Sequence, residues 1–221
     1  MPSSQLPSGL PAPIDLLPIE ERFLGLLAWG ALREYTEGLP ARTGESILEA
    51  WQRVGARGAP AIPAPDGNAL RARVGCFVTF FQNDELRGCV GSAEGREPLY
   101  IAVQGLARAA ASRDSRFLPV EERELPRMSG EITILGRFVR CPGGAERLLA
   151  FVNPGDHGVR IRRGERSALL LPKVAGRLGW DAVELLDQVS LKAGLPRDSW
   201  RDAGTQVFVF SARSFEVVVS G

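Results

Sequence analysis

Between Pro18 and Gly38 the apolar residues Phe23, Leu24, Leu27, Leu32 and Tyr35 return at helical spacing. This stripe predicts a helix that opens on Pro18, a residue suited to the first helical position, and stops at Gly38. A shorter helix is predicted over about 44–54, where Ile47, Leu48 and Trp51 share a face, and a Gly, Ala and Pro-rich loop follows over 55–68. From Ala69 the period changes. VGCFVTFF is rich in β-branched and aromatic residues, Asn83-Asp84 is a turn signal, and LRGCVG follows, so a β-hairpin is predicted. A helix through PLYIAVQGLARAAASR and a strand in SGEITILG complete the order hairpin, helix, strand.

The same order returns downstream: GVRIR, a turn at Arg163-Gly164, SALLLP, a helix through WDAVELLDQVSLKAGL, and the strands QVFVFS and SFEVVV. Short turns impose antiparallel pairing, and amphipathic helices need a sheet face to cover. The predicted class is therefore α+β: an antiparallel sheet with flanking helices, in which a duplicated hairpin–helix–strand unit makes two related subdomains. Residues 1–17 hold four prolines and no periodicity, and are expected to form a flexible arm. The domain proper is expected over 18–221, with its subdomains meeting near 138–156.

Composition removes whole classes of function. Lys plus Arg is 27 against 26 for Asp plus Glu, a net charge of +1, which argues against a histone-like or polybasic membrane-binding chain. With 44% apolar and 24% charged residues the chain reads as an ordinary soluble globular protein. Neither a secretion signal nor a membrane-spanning run is evident, and Cys76, Cys89 and Cys141 are too sparse for a disulfide framework, so a cytoplasmic protein is expected. His157 is the only histidine, which leaves no His-rich metal site. No Walker or dinucleotide glycine pattern occurs, and no motif names a cofactor.

The sharpest candidate for chemistry is Cys89 in DELRGCVGS. A guanidinium such as Arg87 favours a thiolate, and Gly88 and Gly91 let backbone amides approach a ligand. The same pattern also suits a buried cysteine in a strand whose glycines mark a bulge or a tight helix contact. His157, in NPGDHGVRIR, is either a general base oriented by Asp156 or a polar residue fastening a loop. Arg160 and Arg162 alternate with Val159 and Ile161 and, with Arg163 and Arg166, make a basic strip that is either a phosphate contact or the solvated face of a strand. Asp114 and Arg116 in SRDSRFLP read as a loop anchor, and pairing with Arg116 would make Asp114 a poor base. Lys192 sits where a helix C-terminus favours a cation, with Gly194 as the stop.

Taken together, LRGCVG, DSRF, ELP, GDHG, LLPKVA, GW and LKAGL, in that order from about Leu70 onward, resemble the AMMECR-one family. The resemblance implies one α/β protein with two related subdomains. It puts the family's motif on Leu86, Arg87, Gly88, Cys89 and Gly91, with His157 as partner across a cleft. It also implies association with Memo-type and radical S-adenosylmethionine proteins, and a suggested role in nucleotide or nucleic-acid modification. Two residues depart from the family pattern: Ser190, where many relatives have cysteine, and Lys173, which replaces a neutral polar residue. The reading carried forward is an enzyme-like, cysteine-dependent transferase or modification enzyme in which Cys89 is the nucleophile, Arg87 stabilises negative charge and His157 moves protons. Its rival is a non-catalytic module that binds a nucleotide, RNA or protein partner through Arg160, Arg162 and their neighbours.

Overall fold

The structure is a computed structural model that describes residues 10–44, 46–47 and 68–217. Most of the helix expected over 44–54 and nearly all of the loop expected over 55–68 lie outside the described residues. The chain divides into two compact units, Ile14–Ile134 with the segment from Ser214, and Leu135–Arg213 with the segment up to Pro13. The first is called the thiol unit and the second the arginine unit.

In the thiol unit, helix α1 (Pro18–Thr36) begins at the predicted proline, and its chain turns away at Gly38, whose φ of +67° suits glycine. The short helix α2 (Asn68–Arg71) leads to strands β1 (Cys76–Gln82) and β2 (Glu85–Ser92). Their two-residue turn holds Asn83 and Asp84 at positive φ, the left-handed pair that matches the twist of a hairpin. Helix α3 (Leu99–Ser112) crosses to β3 (Met128–Leu135), which pairs antiparallel with β1. The sheet order is β2-β1-β3-β8, where β8 is Ala212–Val217. Val78, Phe80, Ile132 and Ile134 are fully buried in one cluster with Phe23, Leu24 and Leu27 of α1 and Val103 and Ala107 of α3. Each such large side chain contributes roughly 1.5–3 kcal/mol by leaving water.

The arginine unit repeats the plan. After β4 (Val139–Arg140) and helix α4 (Ala145–Phe151), strands β5 (Gly158–Arg163) and β6 (Arg166–Leu170) form the hairpin. Helices α5 (Pro172–Leu178) and α6 (Ala182–Lys192) cross to β7 (Gln206–Phe210), in the sheet order β4-β7-β5-β6. Asp181 caps α6 by accepting the Glu184 amide at 2.8 Å. Val159, Ile161, Leu185, Leu186, Val189 and Val209 form the buried centre.

In both sheets the first hairpin strand lies between its hairpin mate and the strand after the helix. This is the expected duplicated α+β plan, realised as two four-stranded sheets. The fourth strands are exchanged: β4 follows β3 in the chain yet pairs with β7, and β8 follows β7 yet belongs beside β3. The boundary accordingly falls at Ile134/Leu135, ahead of the expected 138–156. Residues 10–17, expected as part of an arm, are packed: Leu16 is buried, and Pro11 accepts a hydrogen bond from Ser211 Oγ at 2.6 Å.

Candidate functional site around Cys89

Strand β2 is an edge strand, and four residues of LRGCVG, namely Arg87, Gly88, Cys89 and Gly91, have a visible structural setting. Gly88 passes so close to α3 that a Cβ there would run into the Ala110 carbonyl. At Gly91 a Cβ would enter the Phe77 ring, which lies across it from β1. Arg87 is the extra residue of a β-bulge, since Phe80 pairs with Gly88 and Phe81 with Leu86. Its side chain, 14% exposed, forks onto Glu124 at 2.7 and 3.0 Å and donates to the Leu118 carbonyl at 2.8 Å. The Arg87 hydrogen bond holds the Glu124 carboxyl below its ordinary pKa. Arg87 therefore fastens the loop after α3, and its charge is already matched.

Cys89 pairs with Thr79 of β1, while its own amide points off the sheet edge and is accepted by Asp114 Oδ2 at 2.9 Å. With no ladder bond joining them, the Cys89 and Thr79 side chains stand in the closer of the two antiparallel pairings. Thr79 Oγ1 donates to the sulfur at 3.2 Å. Asp114 is clasped by Arg116 through Nε at 2.9 Å and Nη2 at 2.6 Å, and that bond holds its carboxyl well below the usual range. The Arg116 guanidinium is raised in turn, first by Asp114 and in smaller part by the nearby Cys89. Cys89 is half-buried, and Arg116 keeps 56% of its side chain exposed. Glu131 of β3 faces Thr79 from the other side, which extends the row Cys89–Thr79–Glu131 across three strands. A half-exposed cysteine, a hydroxyl donor on its sulfur and a guanidinium that is 56% exposed although paired with Asp114 suit attack on an electrophile.

The other two thiols contrast with this. Cys76 and Cys141 are buried, and desolvation pushes each up to about 12. His157 belongs to the arginine unit, Cys89 to the thiol unit. The imidazole Nδ1 accepts the Asn153 amide at 3.1 Å while the His157 amide donates to the Asn153 carbonyl at 2.8 Å, which ties the turn shut. Burial lowers the His157 pKa, with Asp156 and the Phe151 backbone opposing. The basic strip has internal partners: Arg160 lies over Phe138 and donates to Ser167, Arg163 pairs with Asp202 at 2.6 Å, and Arg166 donates to the Gly194 carbonyl. Arg162 is exposed opposite Ser167 and Gln206. Lys192 lies in the last turn of α6. Among the described residues no cluster of three His, Cys, Asp or Glu could hold a metal ion, and no helix is long and apolar enough to cross a membrane.

Thr79 and Glu131 were not singled out from the sequence, although the signal was there. Each interrupts an apolar strand, VGCFVTFF or SGEITILG, at the face opposite Val78 or Ile132.

The AMMECR1 family model matches residues 45–215, which take in the whole Cys89 row and the Asp114–Arg116 loop. The chain belongs to the AMMECR1 family. Its relatives include protein MK0488 of Methanopyrus kandleri, 37% identical over 69% of this chain and 75% of that one. Protein NEQ441 of Nanoarchaeum equitans is 39% identical over 70% of this chain and 87% of its own. The crystal structure of the uncharacterized protein PH0010 from Pyrococcus horikoshii is similar at a TM-score of 0.72 and 31% identity, covering 89% of this chain and 90% of that one. The fold of this chain is thus related to that of PH0010.

Proposed function

We propose that this AMMECR1 protein is a cysteine-dependent group-transfer enzyme in which Cys89 attacks an electrophilic carbon of an anionic substrate. The observation that carries the reading is the contrast among the three thiols. Cys76 and Cys141 are buried, and Cys89 is half-exposed with a hydroxyl on its sulfur and its amide held by Asp114, the partner of Arg116. In the step proposed, the Sγ electron pair forms a new S–C bond, the leaving group departs with the pair of the broken bond, and the thiol proton passes to water; a nucleophilic acceptor, water or a second substrate, then attacks the same carbon, and the Cys89 sulfur leaves with the S–C pair and is reprotonated. Arg116 meets the substrate's negative charge. Asp114 and Arg87 are positioning residues: one fixes the Cys89 amide and the Arg116 fork, the other the loop that carries both.

Iodoacetamide labelling read by peptide mass spectrometry tests this. Cys89 is expected to alkylate in the folded chain at neutral pH, and Cys76 and Cys141 only after denaturation. Arg116→Gln is expected to slow alkylation of Cys89 by the anion iodoacetate severalfold relative to neutral iodoacetamide, and to lower the melting temperature because the Asp114 carboxylate, 7% exposed, loses its cation. Equal sluggishness of all three thiols, or indifference of Cys89 to Arg116→Gln, would overturn the proposal.

A further inference from the structure

The arginine unit holds a cavity of about 190 Å³, room for roughly six water molecules at ~30 Å³ each. It opens between two connections. One is the Pro142-Gly143-Gly144 segment between β4 and α4, and the other is the turn from Trp200 to Thr205 that leads into β7. Its apolar floor includes Leu148, Trp200 and Val207, all buried. A Cβ added to Gly143 or Gly144 would meet nothing within 4 Å, so the near wall is low and open.

Three observations give the cavity a chemical preference. Arg140 and Arg201 both line it, and among the described residues neither has a carboxylate partner; Arg201 stacks on Trp200 at 3.9 Å from the ring centroid instead. The carboxylate on the wall, Asp202, is already taken by Arg163 at 2.6 Å. Thr205 Oγ1 is a buried hydroxyl with no hydrogen-bond partner, an arrangement that is costly unless a ligand or water completes it. The cavity therefore offers two positive charges without carboxylate partners and one unused hydroxyl donor.

We propose that this cavity is a binding site for a small phosphate-bearing dianion, held by Arg140 and Arg201 and by the Thr205 hydroxyl. Two guanidinium groups match the charge of a phosphate monoester better than that of a monocarboxylate, and guanidinium forks fit phosphate oxygens. The site uses no group of the Cys89 row, so the failure of either proposal leaves the other standing.

The test is a calorimetric titration of the full chain, at low salt, with inorganic phosphate, glycerol 3-phosphate and acetate as probes. Both phosphates are expected to bind saturably and acetate not to compete with them. Arg140→Gln, on an exposed edge position, is expected to weaken phosphate binding about tenfold, the loss of one charge-assisted hydrogen bond. Thr205→Val is expected to weaken it less, and Cys89→Ser to leave it unchanged. Absence of saturable phosphate binding, equal competition by acetate, or undiminished binding by Arg140→Gln would each overturn the proposal. Should Thr205→Val fail to fold, the Arg140→Gln result decides alone.

Discussion

The two edge strands β2 and β6 occupy equivalent places in the two sheets and are furnished differently. In each unit an arginine on the edge strand reaches back to the loop that follows the crossover helix: Arg87 to Leu118, Arg166 to Gly194. Each unit also has a glycine under an aromatic ring, but at different places in the sheet: Gly91 of the edge strand β2 lies under Phe77 of its hairpin mate, and Gly158 of the central strand β5 under Phe210 of β7. The central rows then diverge, into Cys89–Thr79–Glu131 on one side and Leu169–Arg160–Phe208 on the other. The two units thus share the arginine that ties the edge strand to the next loop and differ in the side chains across the middle of the sheet.

The comparison breaks most visibly at the two arginines. Arg87 and Glu124 are each only 14% exposed, so Arg87→Ala leaves a carboxylate nearly buried and unpaired. A loss of about 3 kcal/mol is expected in urea unfolding, with faster hydrogen exchange over the 113–124 loop. Arg166→Ala, which removes an exposed donor to one carbonyl, is expected to cost within about 0.5 kcal/mol. Equal losses would mean that the two edges do the same structural work.

The glycines sharpen the likeness instead. Gly91→Ala and Gly158→Ala each push a methyl group into a ring, and a loss of about 1–3 kcal/mol is expected at both sites. Gly88→Ala faces a backbone carbonyl, which yields less than a side chain, so it is expected at the upper end of that range. A harmless Gly158→Ala beside a damaging Gly91→Ala would show that the ring over the central strand yields where the ring over the edge strand does not.

Much of this was legible in the chain. Pro18, Asn83-Asp84 and Gly164 announce their turns and helix start through φ preferences that act locally, and the repeated hairpin, helix, strand order follows from them. The exchange of β4 and β8 was not, because which sheet a strand joins depends on long-range pairing that no local pattern encodes. Helix α5 was passed over as the end of an apolar run, although Pro172 at its start and Gly179 at φ +63° just after it bracket it. At the candidate site, Cys89 and the Asp114–Arg116 pair were named from sequence. The pairing of Arg87 with Glu124 was not, because the two lie 37 residues apart in the chain. Thr79 reaches Cys89 only through strand register, which spacing alone does not give.

The smallest expected effect concerns the histidine of the arginine unit, which has no counterpart in the thiol unit. Burial lowers the His157 pKa below its ordinary 6.5. The unfolded chain therefore binds the proton more readily than the folded one, and stability rises with pH through the window just below 6.5. The contribution is complete above the unfolded value and is lost as pH falls, when protonation forces Nδ1 to stop accepting the Asn153 amide. Melting temperatures between pH 7.5 and 5 are expected to fall less steeply in His157→Gln than in the parent chain. Alkylation of Cys89 is expected to keep its pH profile in this variant if the imidazole only fastens its turn. A His157→Gln profile displaced to higher pH would instead assign His157 the proton-transfer role read from the sequence, and would make the two units partners in one reaction.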